Sequence, residues 1–156
     1  MEIKEIEFAK LRYAYITIKH FLETEGYEKV TSLENKVEAD LGLSGEDNYE
    51  LLAKFVTKFE LEDKGFDYDK HFYSEDEIFG LGRAIVNLLT LSVWLPLKTI
   101  ELLTFNKVDL DKPKFPVTPD REVSDLTFKD LLTWYVEKEY TPSQRIKYII
   151  KPQADR

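Results

Sequence analysis

Cysteine is absent from the 156-residue chain. That excludes a disulfide framework, thiol catalysis and thiolate metal sites, and it fits a reducing compartment. Histidine is nearly absent: His20 and His71 are the only imidazoles. His20 lies beside a core-facing run and reads as a surface or hydrogen-bonded residue. His71 can be drawn with Ser74 as a base and nucleophile, but nothing supplies an oxyanion hole or an orienting motif. Glycine is scarce, and the triplet Gly80-Leu81-Gly82 lacks the further glycine and lysine of a phosphate loop. No catalytic residue is therefore expected, and no enzymatic activity. The opening MEIKEIEFAK alternates charged and apolar residues without an uninterrupted apolar run. A secretory signal is not expected, and the reading is a cytoplasmic protein.

A long apolar run is also missing. The most apolar stretch is Ile78–Phe105, yet only 14 uncharged residues separate Arg83 from Lys98, against the ~20 a membrane span needs. Pro96 should kink or break a helix there. The stretch reads as a buried helix and a membrane role is disfavoured. Should its face stay uncovered in the monomer, it becomes a surface for a homodimer or another partner.

What is present is charge and helical periodicity. The formal net charge is −8, and it is uneven. Met1–Glu77 holds 20 acidic and 10 basic residues, whereas Ile78–Arg156 holds 10 acidic and 12 basic. An acidic N-terminal half disfavours nucleic acid, whose phosphates need clustered Lys and Arg, and suits docking onto a basic partner. The length suits a single domain over residues 1–156 that buries a core without metal or disulfide help.

Phe8, Leu11, Tyr15, Ile18 and Leu22 recur at helical steps, with Gly26 as the stop signal. Leu52, Phe55, Val56 and Phe59 form a second stripe, and Phe128, Leu131, Leu132 and Tyr135 another. Thr127 and Asp130 have capping-box spacing. Thr141, Pro142 and Gln144 predict a last short helix. Three of the six prolines fall within seven residues at 113–119, which predicts an extended connector. Trp94 and Trp134 lie on apolar stretches and read as core. The acidic stretch 67–77 brings Asp67, Asp69, Glu75 and Asp76 together, but Phe72 and Ile78 occupy the glycine and glutamate places of a calcium loop. It reads as a solvated rim with a weak divalent site as the alternative, and no metal is expected.

Two segments together resemble a known family. Residues 34–61 contain Asp40-Leu41-Gly42, then Asp47, Glu50-Leu51 and Phe59, and these are similar to the loop and second helix of acyl carrier proteins. Residues 126–136 resemble the last carrier helix. With Gly65–Phe72 (GFDYDKHF) the pattern resembles a family of small, functionally uncharacterised bacterial carrier-like proteins. The resemblance covers about 33–72 and 126–139 and leaves about 78–125 as an insertion. It implies an all-α fold: an acyl-carrier-like helical bundle with an inserted apolar helix and a C-terminal helical extension. It also implies a partner-binding face formed by Asp40, Glu46, Asp47 and Glu50.

The departure lies at the attachment point. Aligned without gaps, the carrier's modified serine falls on Gly45, which has no hydroxyl to take a 4'-phosphopantetheine arm. Ser44 stands one residue early and reads as the N-cap of the following helix, with Asp47 three residues on. The expectation is a non-enzymatic carrier-like protein that binds a protein partner without a cofactor. The alternatives are a carrier modified at Ser44 and a membrane-surface or assembly protein using residues 78–105.

Overall fold

Two short strands, one near each end of the chain, correct the all-α expectation. In the computed structural model, which describes residues 1–74, 77, 80–105, 111–116 and 121–152, β1 (Glu2–Ile6) pairs in parallel with β2 (Ile146–Ile150). Beside them the described residues hold four α-helices, and 52% of those residues are helical. β2 carries IKYII, a β-branched and aromatic run that favours the pleated surface. The expected last helix is therefore only a 3-10 turn, Ser143–Arg145. The inner sheet face buries Ile6 and Ile146. Glu137 holds both strands, pairing with Lys4 of β1 and accepting the Tyr148 hydroxyl of β2 at 2.6 Å. Burial alone would raise the Glu137 carboxyl, but those two hydrogen bonds outweigh it and hold it below the ordinary carboxylate value.

The chain divides into two compact units: residues 1–72 with 123–156, and residues 73–122. In the first, α1 (Phe8–Glu25) buries Ala14, Ile18, Phe21 and Leu22 and ends at Gly26, whose N–H returns to the Leu22 carbonyl at 2.8 Å. A Cβ at Gly26 would sit 2.8 Å from that same oxygen, so the stop signal is steric, the backbone there being ordinary extended chain at φ −92°. α2 (Glu46–Phe59) buries Leu51, Leu52 and Phe55. The third helix of this unit is α4 (Phe128–Glu137), for which the expected capping box forms. Thr127 Oγ1 accepts the Asp130 N–H at 3.2 Å, and the Asp130 carboxylate accepts the Thr127 N–H at 3.0 Å. The Phe21, Phe55, Phe72, Phe128 and Trp134 side chains fill the core between them.

The second unit is built on α3 (Leu81–Leu103), which runs through Pro96 without a break in assignment. Here the buried-helix reading is corrected, because no residue of α3 is buried. Trp94, expected in the core, is half-exposed and packs on Phe115, with ring centroids 5.6 Å apart. Elsewhere in this unit Arg121 pairs with Glu77 and its guanidinium stacks over the Tyr73 ring. The guanidinium hydrogen bond, with the backbone N–H of Ser74 adding to it, holds the Glu77 carboxyl down at about 2.

Candidate functional site

The junction between the 27–45 loop and α2 is a tight turn. The Asp47 N–H returns to the Ser44 carbonyl at 3.2 Å, and Gly45 between them has φ 57° and ψ −120°. Those angles are the first central position of a type II′ turn, a place held by glycine. A Cβ at Gly45 meets nothing within 4 Å. The residue is therefore glycine for its backbone and not for want of space. The Tyr68 hydroxyl donates to the Gly45 carbonyl at 3.1 Å, and the Tyr68 ring packs edge-on against Tyr49. Burial, with help from Glu38 and Asp69, pushes the Tyr68 phenol up and keeps it a donor.

This turn corrects the reading of Ser44. The N-cap of α2 is Gly45, and no side chain caps the helix. Ser44 is exposed, and its hydroxyl makes no hydrogen bond among the described residues. The four expected docking acids are all exposed, but they are not equivalent. Glu46 and Asp47 project from the first turn of α2, where the helix dipole favours negative charge. Glu50 lies 3.6 Å from Lys54, which is also 3.1 Å from Glu25. The hydrogen bond that Lys54 donates to Glu25 is the main reason its ammonium is pushed up. Asp40 is committed to its own loop and accepts the Lys36 N–H at 2.8 Å. A depression of about 150 Å³ beside the turn is lined by Tyr27, Leu43, Asp47, Glu50 and Lys54 among others.

Behind the junction lies a polar cluster that the sequence reading passed over. Asp125 accepts the backbone N–H groups of Glu38 and Ala39 at 3.0–3.2 Å. Burial raises both the Asp125 and the Glu38 carboxyls, and Asp125 adds to the rise at Glu38. Both line an open cleft of about 470 Å³ with Lys36 and Thr127. Asn48 is fully buried, donates to Glu38 at 3.3 Å and, among the described residues, leaves its Oδ1 without a partner. The signal for Asn48 was legible: it sits three, four and seven residues before Leu51, Leu52 and Phe55, on the core face of α2.

His71 is a positioned structural residue. Its Nδ1–H donates to the Ser124 carbonyl at 2.6 Å, and Nε2 accepts the Tyr140 hydroxyl at 2.7 Å. With both nitrogens engaged, the ring stacks on Phe66 at 5.3 Å. Ser74 instead hydrogen-bonds Glu77 at 3.1 Å. Of the acidic stretch, Asp67 pairs with Lys70 at 3.0 Å, and that hydrogen bond lowers its carboxyl. Glu75 and Asp76 lie outside the described residues. Among the described residues no group of three or more His, Asp or Glu is placed to hold a metal ion. No protein-family model, curated protein or solved structure matches the chain.

Proposed function

We propose that this chain is a non-enzymatic, acyl-carrier-like protein that docks a partner protein through the acidic start of α2 and carries no prosthetic group. The reading rests on one juxtaposition: the exposed acids Glu46 and Asp47 directly follow Gly45, where a carrier holds its serine. Glu50, shared with Lys54, and Asp40, tied to its loop, contribute less free charge to the same face. A partner of complementary charge is basic, and such contacts steer encounter in a salt-dependent way. A photo-cross-linker in place of exposed Tyr49 tests this in cells. The expected outcome is a discrete protein adduct that is lost in Glu46→Lys/Asp47→Lys and retained in Glu5→Lys. An adduct indifferent to the double reversal overturns the proposal.

A second reading has its own observation. The Ser44 hydroxyl is exposed and unbonded at a helix start, so modification there would break no cap. Co-expression with a phosphopantetheinyl transferase, followed by intact mass, separates the two. A gain of one phosphopantetheine arm that vanishes in Ser44→Ala replaces the docking-only reading; an unchanged mass supports it.

A further inference from the structure

The geometry points to a second surface: α3 is an in-plane lipid-binding helix that inserts its apolar face into a bilayer surface. Counted along the chain, Arg83, Lys98 and Glu101 interrupt the apolar run. Wound at 100° per residue, those three fall with Asn87, Thr90 and Trp94 on one stripe about 80° wide. Every other position, an arc of about 240°, carries apolar or small side chains or hydroxyls. The arc is bare: Leu88 is 68% exposed and Leu89 62%, with Ile85, Val86, Val93 and Leu95 also exposed. Its hydroxyls are already satisfied within the helix. Ser92 donates to the Leu89 carbonyl at 2.7 Å, Thr99 to Leu95 at 2.8 Å and Thr104 to Ile100 at 2.9 Å. That is the condition a hydrocarbon environment imposes on polar groups.

The stripe, by contrast, is the side the unit covers itself. Glu101 pairs with Lys98 and Lys112, and Trp94 packs on Phe115. This covering segment argues for the interface and against a span. A helix crossing the bilayer would draw Asp111, Lys112 and Lys114 into hydrocarbon alongside it, at high cost. Lying in the plane, the same helix keeps the stripe and its charged cover in water. A second copy fits less well. One packed helix covers only a fraction of a 240° arc, so a dimer would leave much of the apolar area wet, whereas a bilayer encloses it all. The arc also carries no charge for a polar protein surface to match.

The absence of cysteine allows one dye per molecule. An environment-sensitive fluorophore is attached to the full chain at Leu89→Cys or, separately, at Lys114→Cys. Vesicles are phosphatidylcholine alone and equimolar phosphatidylcholine and phosphatidylglycerol. Co-flotation with both vesicle types is expected, with a blue shift and several-fold brightening at 89 and none at 114. Ile85→Glu/Leu89→Glu, both at exposed sites, should lower partition at least about tenfold. Absence of flotation overturns the proposal. So does flotation confined to the anionic vesicles and abolished by salt. A concentration-dependent shift at 89 without vesicles assigns the face to a second copy instead and overturns it equally.

Discussion

Replacing Gly45 tests whether the shape of the turn alone requires glycine there. At φ 57°, ψ −120° an L-residue holds a conformation that only glycine reaches readily, and such strain costs about 1–3 kcal/mol. Nothing stands within 4 Å of the missing Cβ, so Gly45→Ala and Gly45→Ser should cost the same, from the backbone alone. Alanine also restricts the unfolded chain, which returns about 0.4–1 kcal/mol. The net loss is then about 1–2 kcal/mol, a drop of roughly 0.5–1 M in urea midpoint at the slopes usual for a domain of this size. The assay follows Trp134, which is 1% exposed, in a Trp94→Phe background so that one fluorophore reports the first unit. D-Alanine, introduced at 45 by ligation, prefers the mirror-image backbone and should stabilise. Wild-type midpoints for both L-variants, or a D-variant as weak as the L-variants, would refute the argument. A serine above alanine would reveal a contact absent from the structure.

Two further outcomes concern half-buried carboxylates. Asp130 accepts the Thr127 N–H and hydroxyl and the Ser143 N–H at 3.0, 2.6 and 3.0 Å, joining the cap of α4 to the turn that leads into β2. Asp130→Ala should cost about 2–4 kcal/mol in urea unfolding, a lost cap plus an unpaired buried N–H. Burial alone would raise its carboxyl, but these bonds hold it below the ordinary value. Its stabilisation is thus present above the ordinary carboxylate range and lost as pH falls below that range through the lowered folded-state value, so the variant should show a flatter acid limb. Asp125 has the opposite sign. Burial raises its folded-state value, so its charge opposes folding near neutrality and this penalty fades as pH falls toward the unfolded value. Asp125→Asn should match or exceed wild-type stability at neutral pH and lose that advantage as pH falls into the ordinary carboxylate range. A gap between the two proteins that does not change with pH rules the account out.

Local signals in the sequence were read well because their causes are local. Gly26 ends α1 through its own neighbours, and Thr127 with Asp130 caps α4 three residues apart. The apolar stripes of α1, α2 and α4 follow a period that needs no knowledge of the partner. The parallel sheet failed this route. Glu2 pairs with Ile146 across almost the whole chain, and a five-residue strand has too few positions to display a period. Pro142 read as a helix start, but it introduces a single 3-10 turn whose continuation the β-branched IKYII diverts into β2. Trp134 and Trp94 show the limit of composition as a guide. Both lie in apolar sequence, but only Trp134 has helices packed around it.

The sites divide along the same line. Ser44 read as a cap because an Ser-x-x-Asp spacing licenses it, yet capping also requires the serine itself to be the last non-helical residue. Gly45 takes that place. One residue of offset therefore turns a buried acceptor into an exposed hydroxyl, a difference of backbone angle that residue types alone do not carry. The apolar middle misled in the reverse direction. Linear counting treats Arg83, Lys98 and Glu101 as three interruptions, but on a helix they are one interruption seen three times, since all face the same side. Lys98 and Glu101 pair with each other there, and Lys112 joins them from the covering segment. Gathering the charges onto a side the unit already covers leaves the rest of α3 more continuously apolar than its sequence suggests. Its exposure thus follows from how the charges are arranged around the helix, and it sets the physical requirement that whatever meets this face offer surface without charge.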